Sequence, residues 1–166
     1  QRSIVAVAHG PGLGQLLAEM EVAVVTAEPG EAPATGELLQ AALSSDAGEI
    51  VLLPSDKNVT SSAESAAHAA RKDGLRVAVV PTRSVVQTLA AAGCASVIVD
   101  LEHGAIDYGT AQAMIAATAG TDCAPLVRIA ENTDAQVKRA MDLGAEGIMF
   151  PLIRDAEEAA WAVSSL

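Results

Sequence analysis

Short apolar runs alternate with longer amphipathic stretches from one end of the chain to the other. The runs Ile4–Ala8, Val22–Thr26, Glu49–Leu53, Arg76–Val80, Ser96–Asp100, Leu126–Ile129 and Gly147–Phe150 are compact and rich in Val and Ile. Four or five such residues without strict polar alternation predict parallel strands buried on both faces. Between them, apolar positions recur at helical spacing in Leu13–Met20, Gly36–Ser44, Val59–Asp73, Val85–Ala92, Tyr108–Ala119, Asp134–Leu143 and Ala156–Ser164. Asn58 and Thr133 or Asp134 stand where N-caps belong, and Gly74, Gly93, Gly120 and Gly144 where C-caps belong. Pro54, Pro81 and Pro151 each stop a strand at its carboxyl end. About seven β/α units follow. Right-handed crossovers arrange them as a single parallel sheet, one continuous α/β domain over residues 1–166 with no linker composition dividing it.

Composition supports this class. The chain has 166 residues, 51% of them hydrophobic and only 2% aromatic, which suits Val/Ile strands covered by Ala/Leu helices. A net charge of −11 argues against nucleic acid, whose phosphates need a basic face, and against an anionic membrane surface. No apolar run reaches the roughly 18 residues of a membrane helix. Cys94 and Cys123 match no metal spacing and no CxxC pattern, so they read as reduced thiols of a cytoplasmic protein. The chain opens at Gln1 almost directly on a strand, as an excised or processed segment would.

Candidate chemistry gathers beyond the strand carboxyl ends, the rim where open α/β sheets bind ligands. Gly10, Gly12 and Gly14 open a helix after the first strand, where free N–H groups and the helix dipole favour a small anion. The spacing G-P-G-L-G is not the dinucleotide fingerprint G-x-G-x-x-G. Lys57 and Asn58, then Thr82 and Arg83, follow the third and fourth strands as further ligand-binding candidates.

Two family resemblances attach to these residues. GPGLGQLLAEM, LLPSDKNVTSSAESAAHAA and VVPTRSVVQTLAAA resemble the C-terminal, DegV-like part of DAK2-domain proteins, the fatty-acid kinase A family, over about 4–90. Two departures weaken any inherited ligand role: the family's Gln-Gly is Gln87-Thr88 here, and its loop is shortened to Glu28–Gly36. The family's amino-terminal phosphotransfer domain has no counterpart in the sequence, so kinase activity is not implied.

VIVDLEHG at Val97–Gly104, followed by PLVRIAENTDAQVKRAMDLGAEGIMFPLI, resembles the HpcH/HpaI class II aldolases over about 88–164. Those are metal-dependent (β/α)8 barrels that act on 2-keto-3-deoxy acids. The resemblance makes His103 the catalytic base, Asp100 the carboxylate that orients it, and Arg128 the group that holds the keto-acid carboxylate. An imidazole tuned by a carboxylate suits proton abstraction near neutrality, and a guanidinium suits a carboxylate and a developing enolate. The family's metal-binding carboxylates belong to later strands than any present here, so no metal site and no cofactor are expected, and the three residues read as vestigial.

The join falls within the helix at 85–93, which both families place before a strand. The expected architecture is therefore a flavodoxin/Rossmann-like half continued by a TIM-barrel fragment in an open, doubly wound sheet rather than a closed barrel. The strand order itself stays open, and a flavodoxin-like order 2-1-3-4 is one case with a consequence for the far face. Adding units outward leaves one face of strands five to seven uncovered, with Val97, Val99, Val127 or Ile148 exposed. The helix of Trp161 folding across that face, or homodimerisation, would hide it. The function this implies is an engineered or recombined chimeric scaffold without native catalysis. The alternatives are a residual 2-keto-3-deoxy acid aldolase and a small-anion-binding module.

Overall fold

The structure, a computed structural model, describes residues 2–28 and 30–166. Gln1 and Pro29, the latter within the Glu28–Gly36 loop, lie outside the described residues. All fourteen expected elements are present, in the expected order. The chain divides into two compact units, Gln1–Ala92 and Gly93–Leu166. No described helix is long and apolar enough to cross a membrane.

The first unit contains β1 (Arg2–His9), α1 (Pro11–Glu19), β2 (Ala23–Ala27), α2 (Thr35–Leu43), β3 (Glu49–Leu53), α3 (Thr60–Lys72), β4 (Arg76–Val79) and α4 (Val85–Ala92). Its four strands are parallel in the order β2-β1-β3-β4, a flavodoxin-like order that the sequence had left open. Alternate residues of β1 serve opposite faces. Val5 and Val7 meet Leu38 and Ala42 of α2 and the alanine stripe Ala63, Ala66, Ala67 and Ala70 of α3. Ala6 and Ala8 meet Leu17 of α1, with Leu89 and Ala92 of α4 packed beside them. The sheet is thus doubly wound. Gly14 is buried where α1 packs on the sheet, and a Cβ there would be in ordinary van der Waals contact, 3.6 Å from Val24 and 3.8 Å from Ala8.

The second unit contains β5 (Ser96–Asp100), α5 (Tyr108–Ala116), β6 (Ala124–Arg128), α6 (Asp134–Asp142), β7 (Gly147–Met149) and α7 (Ala156–Ser164). Its strands are parallel in the order β5-β6-β7, in an open sheet of three. Strands that advance in one direction through right-handed crossovers place their helices on one face. Val99, Val127 and Ile129 accordingly pack with Ala111, Ile115, Val137 and Ala140.

The α/β class, the parallel pairing and the openness agree with the sequence, but the expected single sheet is divided into two. Two features of the first unit account for its end at β4. Right-handed extension past β4 would need α4 on the face of α2 and α3, whereas α4 packs on the face of α1. The β4 edge is also engaged, since Arg71 donates from Nε to the Val77 carbonyl at 2.8 Å.

The uncovered face of β5–β7 also differs from expectation in its membership. Val99 and Val127 are buried and Ile148 packs against their core, while Ile98 and Met149, of the opposite parity, are exposed. Trp161 does not cross to that face. It packs against the covered core and meets Phe150 edge-on, with ring centroids 5.8 Å apart. The expected C-cap glycines 74, 93, 120 and 144 all take positive φ. Thr133 caps α6 as expected, its side chain accepting from the Gln136 N–H. Asn58 does not cap α3; the N-cap position is Val59, and the Asn58 N–H instead donates to Asp56 at 2.7 Å.

Candidate functional site

The strongest polar constellation stands at the carboxyl ends of β5 and β6. The register pairs Asp100 with Arg128, so adjacent parallel strands present the two side chains on the same sheet face. Arg128 Nε donates to Asp100 Oδ1 at 2.8 Å and Nη2 donates to Oδ2, a two-point clamp. Asp100 Oδ1 also accepts from the main-chain N–H groups of Glu102, at 2.9 Å, and His103, at 3.1 Å. Gly104 completes this turn, because a Cβ there would stand 2.2 Å from the Asp100 carbonyl oxygen. The Arg128 guanidinium, aided by those two N–H groups, holds the Asp100 carboxyl well below the usual carboxylate range. Arg128 is raised in turn, chiefly by its hydrogen bond to Asp100.

His103 joins through its ring. Arg128 Nη2 and His103 Nδ1 are 2.8 Å apart, and the arginine is the donor because a guanidinium has no acceptor. A neutral ring accepting at Nδ1 carries its proton on Nε2. Asp100 binds the His103 main chain and not the imidazole. The His103 side chain remains 71% exposed. Glu102, to which the aldolase resemblance assigns no role, stands 3.3 Å from Arg128 Nε and 3.8 Å from His103 Nδ1. It also lines a cleft of about 860 Å³ at the carboxyl ends of β6 and β7, together with Asn132, Pro151, Arg154 and Trp161. Its position directly before His103 in DLEHG was the available signal. A second acidic residue in a tight turn after a strand faces the same rim as the first.

The aldolase resemblance implies a divalent metal. Among the described residues, no cluster of three or more His, Cys, Asp or Glu side chains is arranged to hold a metal ion. Asp100 and Glu102 both face the Arg128 cation. The residues present do not fit that ion, and no chemistry is routed through it.

The first-unit candidates do not converge on one cavity. Gly10, at φ 91°, is the N-cap position of α1, and Pro11 follows at its first turn. Gly10 lines a cavity of about 540 Å³ together with Glu28, Glu31 and Glu37, whose carboxylates oppose an anion there. Gly12 faces open space, and Gly14 is taken up in helix–sheet packing. Lys57, Asn58 and Arg83 are exposed. Thr82 is buried at 3% exposure, where its hydroxyl accepts from the Ser55 N–H at 2.9 Å. Ser55 has φ 64° and donates its hydroxyl to the Val7 carbonyl at 2.5 Å, while Thr88 donates to Ser55 at 2.9 Å. These buried hydroxyls tie the loops after β3 and β4 to each other, to β1 and to α4. Sequence motifs of the LPSDKN and VPTRS kind therefore locate a structural latch as readily as a ligand site.

Comparison with known proteins finds two relationships. The FakA-like C-terminal family model, which describes the C-terminal part of fatty acid kinase A-like proteins, matches residues 3–135. Among curated proteins, the 2-dehydro-3,6-dideoxy-6-sulfogluconate aldolase of Pseudomonas putida is 36% identical over 83 residues, 50% of this chain and 32% of that protein. A hydroxypyruvate/pyruvate aldolase of Paraburkholderia phytofirmans is 40% identical over 79 residues, 46% of this chain and 30% of that protein. A 5-keto-4-deoxy-D-glucarate aldolase of Salmonella paratyphi A is 34% identical over 79 residues, 48% of this chain and 31% of that protein. The chain spans about a third of the length of each of these aldolases.

Proposed function

The chain belongs to the FakA-like C-terminal family of fatty acid kinase A-like proteins, and on that premise we propose that it is a recombined α/β scaffold retaining the carboxylate-binding half of a keto-acid aldolase site. The aldolase relatives support the choice of a 2-keto acid as the ligand class. The observation that carries the reading is the clustering of Asp100, Arg128 and His103 within hydrogen-bond distance at the carboxyl ends of β5 and β6. Asp100 fixes the guanidinium by two contacts, and its Nη1 amino group has no hydrogen-bond partner among the described residues. That group is the donor left for an incoming carboxylate.

Cleavage asks more of the cluster than binding does. A general base must present an unprotonated nitrogen to the reacting hydroxyl. With Arg128 donating to Nδ1, a neutral His103 ring has its proton on Nε2, which leaves neither nitrogen free as the base. On this reading the cluster binds a keto acid without turning it over.

The test is a pyruvate titration followed by NMR, run beside a cleavage assay on a 2-keto-3-deoxy acid with added divalent metal. Saturable shifts confined to the turn 100–104 and to Arg128, without metal-dependent cleavage, are expected. Cleavage that is abolished by His103→Ala would establish the residual aldolase instead. Absence of localised shifts would remove the keto-acid reading.

A further inference from the structure

Glu102 has no role in the clamp just described, and its surroundings give it one. Its side chain is the least exposed of the cluster, at 17% against 31% for Asp100 and 27% for Arg128. It stands 3.3 Å from Arg128 Nε, yet that nitrogen carries a single hydrogen, which Asp100 accepts at 2.8 Å. Glu102 therefore contributes charge beside the guanidinium and no hydrogen bond. Among the described residues, no hydrogen bond reaches either of its carboxylate oxygens. Its main chain is fixed by the N–H donation to Asp100, so the carboxylate is held at the cleft wall and cannot simply withdraw with its backbone.

We infer that Glu102 is an electrostatic gate on Arg128, a built-in carboxylate that opposes the carboxylate of an incoming ligand. This rests on the keto-acid reading above. Asp100 alone satisfies Nε and orients the guanidinium, so removing the Glu102 charge leaves the clamp intact and the field at Nη1 more positive. An anion approaching Arg128 as it stands meets the two negative charges of Asp100 and Glu102 against one fixed positive charge. Without Glu102 the two sides balance.

The experiment compares pyruvate binding by NMR titration in the full chain and in Glu102→Gln, which keeps the side-chain shape. Glu102→Gln is expected to bind pyruvate at least about threefold more tightly, with the same residues shifting. Asp142→Asn, on the exposed surface of α6, removes the same unit of charge away from the cluster and is expected to leave the affinity unchanged. Binding by the unaltered chain with equal or weaker binding by Glu102→Gln would overturn the gate and leave the keto-acid site standing. Equal tightening by Asp142→Asn would assign the effect to net charge and overturn the gate as well. If neither protein binds pyruvate, the site reading fails and the gate fails with it. Unchanged far-ultraviolet circular dichroism and Trp161 fluorescence show that Glu102→Gln keeps the native fold.

Discussion

A guanidinium offers five N–H groups in a fixed fork, and how they are shared decides what Arg128 can do. Asp100 takes two of them and His103 a third. The sequence pointed to Asp100, His103 and Arg128 through their motif, because adjacent β/α units of a parallel sheet bring strand ends side by side. It could not reveal which nitrogen bonds which oxygen, since that depends on side-chain torsions in a turn whose geometry Gly104 permits. The Asp100–Arg128 pair predicts a pH signature. Asp100 is depressed in the folded state, so its stabilising contribution is present above the ordinary Asp value of about 3.9 and is lost as pH falls below it. Asp100→Asn should thus melt below the unaltered protein near neutral pH, and the two melting temperatures should converge in acid. A gap that persists undiminished to strongly acidic pH, measured by thermal circular dichroism, would contradict the assignment.

At the scale of elements, the hydropathy pattern was nearly sufficient. Strand and helix periodicities differ, and Gly74, Gly93 and Gly144, at φ near +90°, follow the ends of α3, α4 and α6 as expected, while α5 ends earlier, at Ala116, with Ala117 as its C-cap. The pattern did not say which parity of a short apolar strand faces its helices. In β5 and β6 both parities carry Val, Leu or Ile, so the composition of the two faces is almost the same. Packing chose Val99, Val127 and Ile129 for the core and left Ile98 at 49% exposure. Substitutions report that choice directly. Ile129→Ala should cost about 2–5 kcal/mol, because a fully buried side chain leaves a cavity. Ile98→Ala should change stability by no more than about 0.5 kcal/mol, as surface substitutions do. Urea unfolding of both variants measures the contrast, and equal losses would mean that the Ile98 face is covered in solution.

At the scale of the molecule, each unit carries its own core, Val5 to Val77 in the first and Val99 to Ala145 in the second. The single tryptophan, Trp161, packs in the second. Its fluorescence therefore reports that unit, while far-ultraviolet circular dichroism reports both. Ile129→Ala should lower the urea midpoint seen by fluorescence and leave part of the circular dichroism change at its original midpoint. Coincident transitions in that variant would mean that the units unfold as one. The sequence by itself determined the α/β class and the fourteen elements. Those follow from local periodicity and capping, which act over short stretches of chain, whereas Asp100, His103 and Arg128 are singled out by the resemblance of their motif to the aldolases. Only the tertiary structure decided that the strands form two sheets, which face of the second stays open, and how Arg128 shares its hydrogen bonds. Each of these depends on where a helix comes to rest or a side chain turns, as α4 does beside α1 and Arg71 does at the edge of β4. Such long-range choices are energetic competitions among surfaces of similar composition, and a linear pattern carries no record of their outcome.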